Sequence, residues 1–248
     1  MNRKLLASLL FICASWPGDS FSRQNQSRSY SLALQDQSPI ESPIKASGTV
    51  NIREEQSSNA VSNKVDFDIR FKNASLKPIV AYDVLIVVTS EHGPIIRHRQ
   101  FADFFFRKEL ELAPGADDMF QLELPGVLSE PRRTGVRDRA NVEATFDVEF
   151  VEFADGTTYG SSTWGNALHQ ARQAAIQQMK ASVEEFQAHG NDGVRASLGA
   201  AITRPDNLKH TTDVLRGIRQ TLETDGGEAA VSEMTRFIVA AETRRNLM

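Results

Sequence analysis

The hydrophobic pattern of this chain changes its period once, near Trp164, and that change separates two kinds of structure. Between residues 65 and 72, four apolar residues alternate with four charged ones. Such an alternation places the apolar side chains on one face of a β-strand. From Leu168 to Phe186, apolar residues instead recur every three or four positions, which is the spacing of one face of an α-helix. We therefore predict an α+β protein whose strands precede its helices.

Residues 46–164 contain about seven strand-like runs at the spacing typical of a β-sandwich. The run from Ile79 to Val88 is apolar at nearly every position, as in a central strand covered on both faces. Asp155-Gly156 suits a two-residue type I′ hairpin turn, in which both residues take positive φ. We predict an immunoglobulin-like antiparallel β-sandwich domain over residues 46–164.

Residues 165–248 are predicted to form an α-helical region. Gly190 stops the first helix, a short helix follows from Asp192 to Ile202, and the glycines after Asp225 end another. Amphipathic helices need a partner for their apolar faces. The sequence leaves open whether they pack on each other, on the sandwich or on a second copy of the chain.

The N-terminal residues have the layout of a secretory signal peptide. Arg3 and Lys4 precede an apolar run, and the small-x-small triplet that ends at Ser22 follows it. We predict that residues 1–22 are a signal peptide and that the protein is secreted or periplasmic. The single cysteine, Cys13, lies in this segment, so the exported chain would have no disulfide, thiolate metal site or cysteine nucleophile. An uncleaved segment would instead tether the protein to the membrane.

Residues 23–45 are rich in Ser and Gln and show no clear apolar periodicity. Such a composition favours a disordered linker, which we predict here. Tyr30, Leu32 and Leu34 are the residues able to pin this segment to the folded part, but we interpret them as incidental.

Catalytic and cofactor motifs are missing from the sequence. The five histidines do not form a His-Glu-x-x-His pattern, and no Gly-x-Ser-x-Gly elbow or phosphate-binding glycine loop is present. We predict no catalytic residue, no metal site and no cofactor. The formal net charge of −4 argues against nucleic acid as a partner. Carboxylates are plentiful, but their spacing in the sequence does not select an acid and base pair.

One connection, residues 125–139, is basic within an otherwise acidic region. Arginine forks grip carboxylates and phosphates, so this loop is our tentative binding site for an acidic partner, a polyanion or a lipid head group. The alternative is a solvated connection whose charge is balanced by Glu130 and Asp138. The four arginines of the predicted site are Arg132, Arg133, Arg137 and Arg139.

The stretch from Phe71 to Val84, with its Asn73-Ala74-Ser75 turn, continues to Ser90-Glu91-His92-Gly93. It resembles the strand-turn-strand core of FxLYD-type and related fibronectin-like modules of exported bacterial proteins, although the tripeptide that names those modules is absent. The resemblance implies an adhesion, packing or accessory role and transfers no catalytic residue.

From the sequence we expect an exported, non-enzymatic accessory or interaction protein whose partner is a protein or an envelope polymer. One alternative is a carbohydrate-active or other hydrolase that uses carboxylates on the rim of the sandwich. Another is an envelope-associated protein that forms homo-oligomers through its C-terminal helices.

Overall fold

The computed structural model describes residues 27–56, 61–90, 93–129, 142–244 and 247–248. The predicted signal peptide lies outside these residues. Eight strands are followed by three helices along the described chain. The elements are β1 (Ser27–Asp36), β2 (Ile44–Gln56), β3 (Val61–Asn73), β4 (Ile79–Ser90), β5 (Gly93–Asp103), β6 (Asp117–Ser129), β7 (Glu143–Phe153), β8 (Thr158–Gly160), α1 (Ser162–Ile202), α2 (Lys209–Asp225) and α3 (Gly227–Thr243), with a 3-10 turn at Phe104–Phe106 after β5.

The strands form one curled sheet in the order β5-β4-β7-β1-β2-β3-β6, and β8 pairs with β7 off this path. Strand β1 pairs antiparallel with β2 and parallel with β7, so the sheet is mixed. The sheet curls into a half-barrel. The half-barrel is open because its two end strands, β5 and β6, are not paired with each other in the described residues. The predicted α+β class is confirmed. An immunoglobulin-like antiparallel sandwich is not confirmed, since one continuous sheet with a parallel pair surrounds the core.

Strand β1 occupies residues that the sequence predicts to be a disordered linker. Its side chains Tyr30, Leu32 and Leu34 are half-buried against the core inside the curl, and Leu32 lies opposite Val50 of β2. The alternation of these large apolar residues with small or polar neighbours is the period of a strand. The Ser- and Gln-rich composition hid that short pattern, so the disordered-linker prediction is wrong for residues 27–36.

The core inside the curl is built from the inward faces of the central strands. The four alternating apolar residues of β3, from Val65 to Phe71, are at most 2% exposed. Strand β4 is covered on both faces, as its continuous apolar run predicts: Tyr82 and Val84 face the inside of the curl, whereas Val80 and Ala81 pack on the helical side. This second face carries the site described below.

The hairpin between β7 and β8 lies where Asp155-Gly156 predicts it, but its turn has a different type. Gly156 has φ 82°, whereas no non-glycine residue of the described chain has positive φ. The amide of Phe153 donates to the carbonyl of Thr157 at 2.9 Å, which closes a three-residue loop. Gly156 takes the left-handed position of such a loop, so the type I′ prediction is wrong.

The helices pack on each other and on one face of the sheet. Helix α1 is broken at Gly190, with φ 63° and ψ −146°, at the residue the sequence marks as a helix stop. The buried faces of α1, α2 and α3 share one apolar cluster with Val80 of β4 and Phe105 of the 3-10 turn. Within the described chain, the helices are too short or too polar to span a bilayer.

Candidate functional site

Two carboxylates stand in one row on the helix-facing side of the sheet. Asp103 at the end of β5 and Glu152 of β7 both pair with Ala81 of β4, which lies between them. Residues directly opposite each other in a sheet point to the same face, so the two carboxylates flank the small Ala81 side chain, with backbones about 10 Å apart. The gap above Ala81 is therefore bounded by negative charge on both sides.

Arg172 of α1 fills that gap and is completely buried. Its Nη2 donates to Asp103 Oδ1 at 2.8 Å and its Nε donates to Asp103 Oδ2 at 3.1 Å. Its Nη1 donates to Glu152 Oε2 at 2.6 Å and to the carbonyl oxygen of Leu247 at 2.8 Å. The guanidinium also lies over the Phe105 ring, 5.1 Å from its centroid. One side chain thus joins the helices, the sheet and the C-terminal residues.

Two histidines complete the network from the solvent side. His169 of α1 hydrogen-bonds Glu152 through Nε2, and His210 of α2 places its Nε2 2.7 Å from Asp103 Oδ2. The His210 ring also meets the Phe101 ring edge-on, with centroids 5.0 Å apart. Because a carboxylate only accepts, each Nε2 is the donor. We name the five residues Asp103, Glu152, His169, Arg172 and His210 the Arg172 network.

The electrostatics of the Arg172 network favour its charged form. Burial by itself raises the pKa of the Asp103 carboxyl, but the Arg172 guanidinium and the hydrogen bonds from His210 and Arg172 outweigh it and hold the pKa at about 2. Burial by itself would lower the pKa of Arg172, but the charges of Asp103 and Glu152 outweigh it and hold that pKa above its ordinary value. With both carboxylates ionised and both histidines neutral, the network carries one excess negative charge.

This arrangement suits a structural role better than acid and base catalysis. A general acid or base works best with a pKa near the working pH, whereas the pKa of Asp103 lies far below neutrality. Both carboxylates are also occupied by the same guanidinium. Removing one partner of such a buried pair is costly because the other charge remains without compensation.

A second charged cluster lies beside this network on the same face of the sheet. Asp83, two residues beyond Ala81 in β4, is fully buried and neither of its carboxylate oxygens has a hydrogen bond. Its nearest cation is Arg99 of β5, whose Nε is 3.5 Å from Asp83 Oδ2. The same guanidinium is paired with Glu149 and lies over the Trp164 ring, 4.6 Å from its centroid. We name Asp83, Arg99, Glu149 and Trp164 the Asp83 cluster.

The pKa of the buried aspartate is shifted in opposite directions in the two clusters. Burial raises the pKa of the Asp83 carboxyl to about 6, because the attraction of Arg99 is too weak to offset it and the charge of Glu149 adds to the rise. A raised carboxyl pKa is a property of catalytic acids. Here, however, the carboxylate oxygens are buried, so Asp83 does not present its proton to a substrate in this conformation.

The four arginines of the binding loop predicted from the sequence, Arg132, Arg133, Arg137 and Arg139, lie outside the described residues. The first five residues of that predicted connection, 125–129, instead belong to strand β6. Sequence reasoning also missed the two charged residues that organise the helix-facing side of the sheet. Arg172 falls four residues after Leu168 on the apolar stripe of α1, and Asp83 interrupts the apolar run of β4. A charge at a position that the pattern assigns to the core is the signal that could have found both.

Comparisons with protein-family models, curated proteins and solved structures found no match for this chain. In the part of the chain that the structure describes, histidine and carboxylate side chains do not gather in threes with the geometry of a metal site.

Proposed function

We propose that this chain is an exported, non-enzymatic accessory or interaction protein. The observation that carries the proposal is the complete burial of Arg172 between Asp103 and Glu152. These carboxylates, which would otherwise be candidates for an acid and base pair, are used to fix the helices on the sheet. We therefore place the function on the outer surface of the molecule, where a partner would bind.

The location and the partner follow from the sequence pattern and remain predictions. Residues 1–22 direct export, and the loop with Arg132, Arg133, Arg137 and Arg139 binds an acidic protein or an anionic envelope polymer through arginine forks. A relation of the sheet to immunoglobulin-like or FxLYD-type modules fits the same role and is likewise a prediction.

Chromatography on immobilised polyanions tests the binding loop. The chain has a formal net charge of −4, so retention on polyglutamate or dextran sulfate requires a local basic site. Changing all four loop arginines to serine should lower the salt concentration at which the protein elutes. A matched control replaces the four exposed helical-region arginines Arg195, Arg204, Arg216 and Arg219 with serine. Elution of both variants at the same salt concentration would remove the proposed anion site.

The non-enzymatic part of the proposal has its own test. Wild-type protein is incubated with polysaccharides of the cell envelope, and the release of reducing ends is measured against Asp83→Asn and Glu152→Gln variants. We expect no release above the buffer blank for any of the three proteins. Release by the wild type that either variant abolishes would make the protein a carboxylate-dependent hydrolase and contradict the proposal.

A further inference from the structure

The half-barrel has an open seam between the two end strands of the sheet, β5 and β6. Among the described residues, each of these strands is hydrogen-bonded to a neighbouring strand on one side only, so its other edge presents a row of backbone donors and acceptors. The inward side chains of β6 are also incompletely covered: Phe120, Leu122 and Leu124 are half-buried, whereas their counterparts in β3 are at most 2% exposed. The seam therefore exposes backbone and apolar surface together.

Side chains, and not backbone pairing, bridge this seam within one molecule. The His98 ring of β5 lies 5.3 Å from both the Phe67 and Phe120 rings, centroid to centroid. Its Nε2 is buried and has no hydrogen-bond partner, and burial lowers the pKa of His98. His98 is thus part of an aromatic stack. Nearby, the Tyr82 hydroxyl donates to Asp118 at 2.6 Å.

The two edges carry opposite charge. Strand β5 contains Arg97, Arg99 and one acidic residue, Asp103, of which Arg99 and Asp103 are already paired within the molecule with Glu149 and Arg172. Strand β6 contains Asp117, Asp118 and Glu123 and no basic residue. Asp117 and Asp118 are already paired with Arg70 and Arg107, so the charge complementarity between the edges rests on Arg97 and Glu123. Pairing of β5 with β5, or of β6 with β6, would place like charges together, which disfavours both. Pairing of β5 with β6 from another molecule would place opposite charges together.

We propose that a second copy of this chain docks seam to seam, so that β5 of each copy pairs with β6 of the other. Tracing the pairings across the sheet shows that β5 and β6 run antiparallel to each other. A two-fold axis parallel to the strands preserves these directions, so both new pairings are antiparallel. In the dimer, the backbone donors and acceptors along both edge strands of each copy gain hydrogen-bond partners. The half-buried apolar side chains of β6 are also covered.

Charge reversal on the two edges tests the dimer. Native mass spectrometry and light scattering, over a dilution series of the protein as the cell produces it, give the dimer dissociation constant. Arg97→Glu on β5 and Glu123→Arg on β6 should each raise that constant about tenfold, because each change occurs twice in a two-fold interface. The double variant R97E/E123R restores the opposite charges and should return the constant to within about threefold of the wild type. Arg195→Glu on the exposed face of α1 is the matched control and should change nothing.

Restoration by the double variant separates lost pairing from lost folding, since a misfolded single variant would not be rescued by a second charge change. A protein that is monomeric throughout the dilution series overturns the proposal. The proposal is also overturned if neither edge variant changes the dimer dissociation constant but Val239→Glu on α3 raises it. The interface would then lie on the helices, where Val239 is 54% exposed.

Discussion

The Arg172 network and the Asp83 cluster lie side by side on one face of the same sheet, and each contains a buried aspartate. The two aspartates differ in the number of hydrogen bonds that they receive. In the network, Asp103 receives hydrogen bonds from Arg172, from His210 and from the amide of Phe105. In the cluster, Asp83 receives none. Both carboxylates are inaccessible to water, so the supply of donors, and not burial itself, decides whether the charge stabilises the fold.

The donor supply differs because the two arginines come from different elements. Arg172 approaches from α1, above the row of the sheet, and presents three nitrogens to acceptors below it. Arg99 belongs to β5 itself and uses Nη2 on Glu149, which leaves only Nε directed at Asp83. A helix laid across a sheet can therefore satisfy a buried carboxylate that a neighbouring strand cannot.

Removal of Arg172 should have the largest effect. Arg172→Met keeps most of the side-chain volume but leaves Asp103 and Glu152 buried without their cation, so we expect a loss of about 3 to 5 kcal/mol in the free energy of unfolding. Urea unfolding at pH 7 measures the loss. The exposed Arg195→Met is the control, with a change within about 0.5 kcal/mol. A similarly small change for Arg172→Met would show that the network does not stabilise the fold.

Asp103→Asn should have the next largest effect, with a defined pH dependence. The folded-state pKa of Asp103, about 2, lies below its ordinary value of 3.8, so its charge contributes stability above pH 3.8 that is lost as the pH falls through 2. We expect Asp103→Asn to cost about 2 to 3 kcal/mol at pH 6 and progressively less toward pH 2. Unfolding curves across this range measure it. A cost that stays constant down to pH 2 would contradict the assignment.

Asp83→Asn should act in the opposite direction. The folded-state pKa of Asp83, about 6, lies above its ordinary value of 3.8, so the protonated form favours folding, and that stability is lost as the pH rises through 6. We expect the variant to be more stable than the wild type by about 1 to 2 kcal/mol at pH 8 and equal to it near pH 4. Exposed Asp68→Asn is the control. A destabilised Asp83→Asn at pH 8 would mean that Asp83 is well paired.

The smallest expected effect is spectroscopic. Because the Arg99 guanidinium lies over the Trp164 ring, ionisation of Asp83 should draw Arg99 toward it and alter the emission of Trp164. We expect a fluorescence change with a midpoint near pH 6 that Asp83→Asn abolishes. The difference between the two proteins removes any contribution of Trp16. An identical titration in both would show that Asp83 does not act on Arg99.

The sequence predicted those elements of the fold that depend on a few adjacent residues. The alternation in β3, the apolar run of β4 and the stop at Gly190 each follow from a few adjacent residues. Strand β1 was missed because its period-two pattern spans only three apolar residues in a polar segment. The parallel pairing of β1 with β7, and the open curl that results, depend on contacts between distant segments that no local pattern encodes.

The candidate site was unpredictable for the same reason. Arg172 and Asp103 are 69 positions apart, and His210 and Asp103 are 107 apart. The misplaced charges at Arg172 and Asp83 could have been noticed as core positions that carry a charge. Their partners could not, because only the folded sheet brings Asp103 and Glu152 to either side of Ala81.

Hydrogen exchange measured at increasing urea concentrations tests most directly whether Arg172 fixes the helices on the sheet. In the wild type, the amides of α1 to α3 and those of β4 and β7 should open with the same free energy, as one cooperative unit. In Arg172→Met, the helices should open at a lower urea concentration than the sheet. Separate opening of helices and sheet already in the wild type, or no separation in the variant, would contradict the proposed role of Arg172.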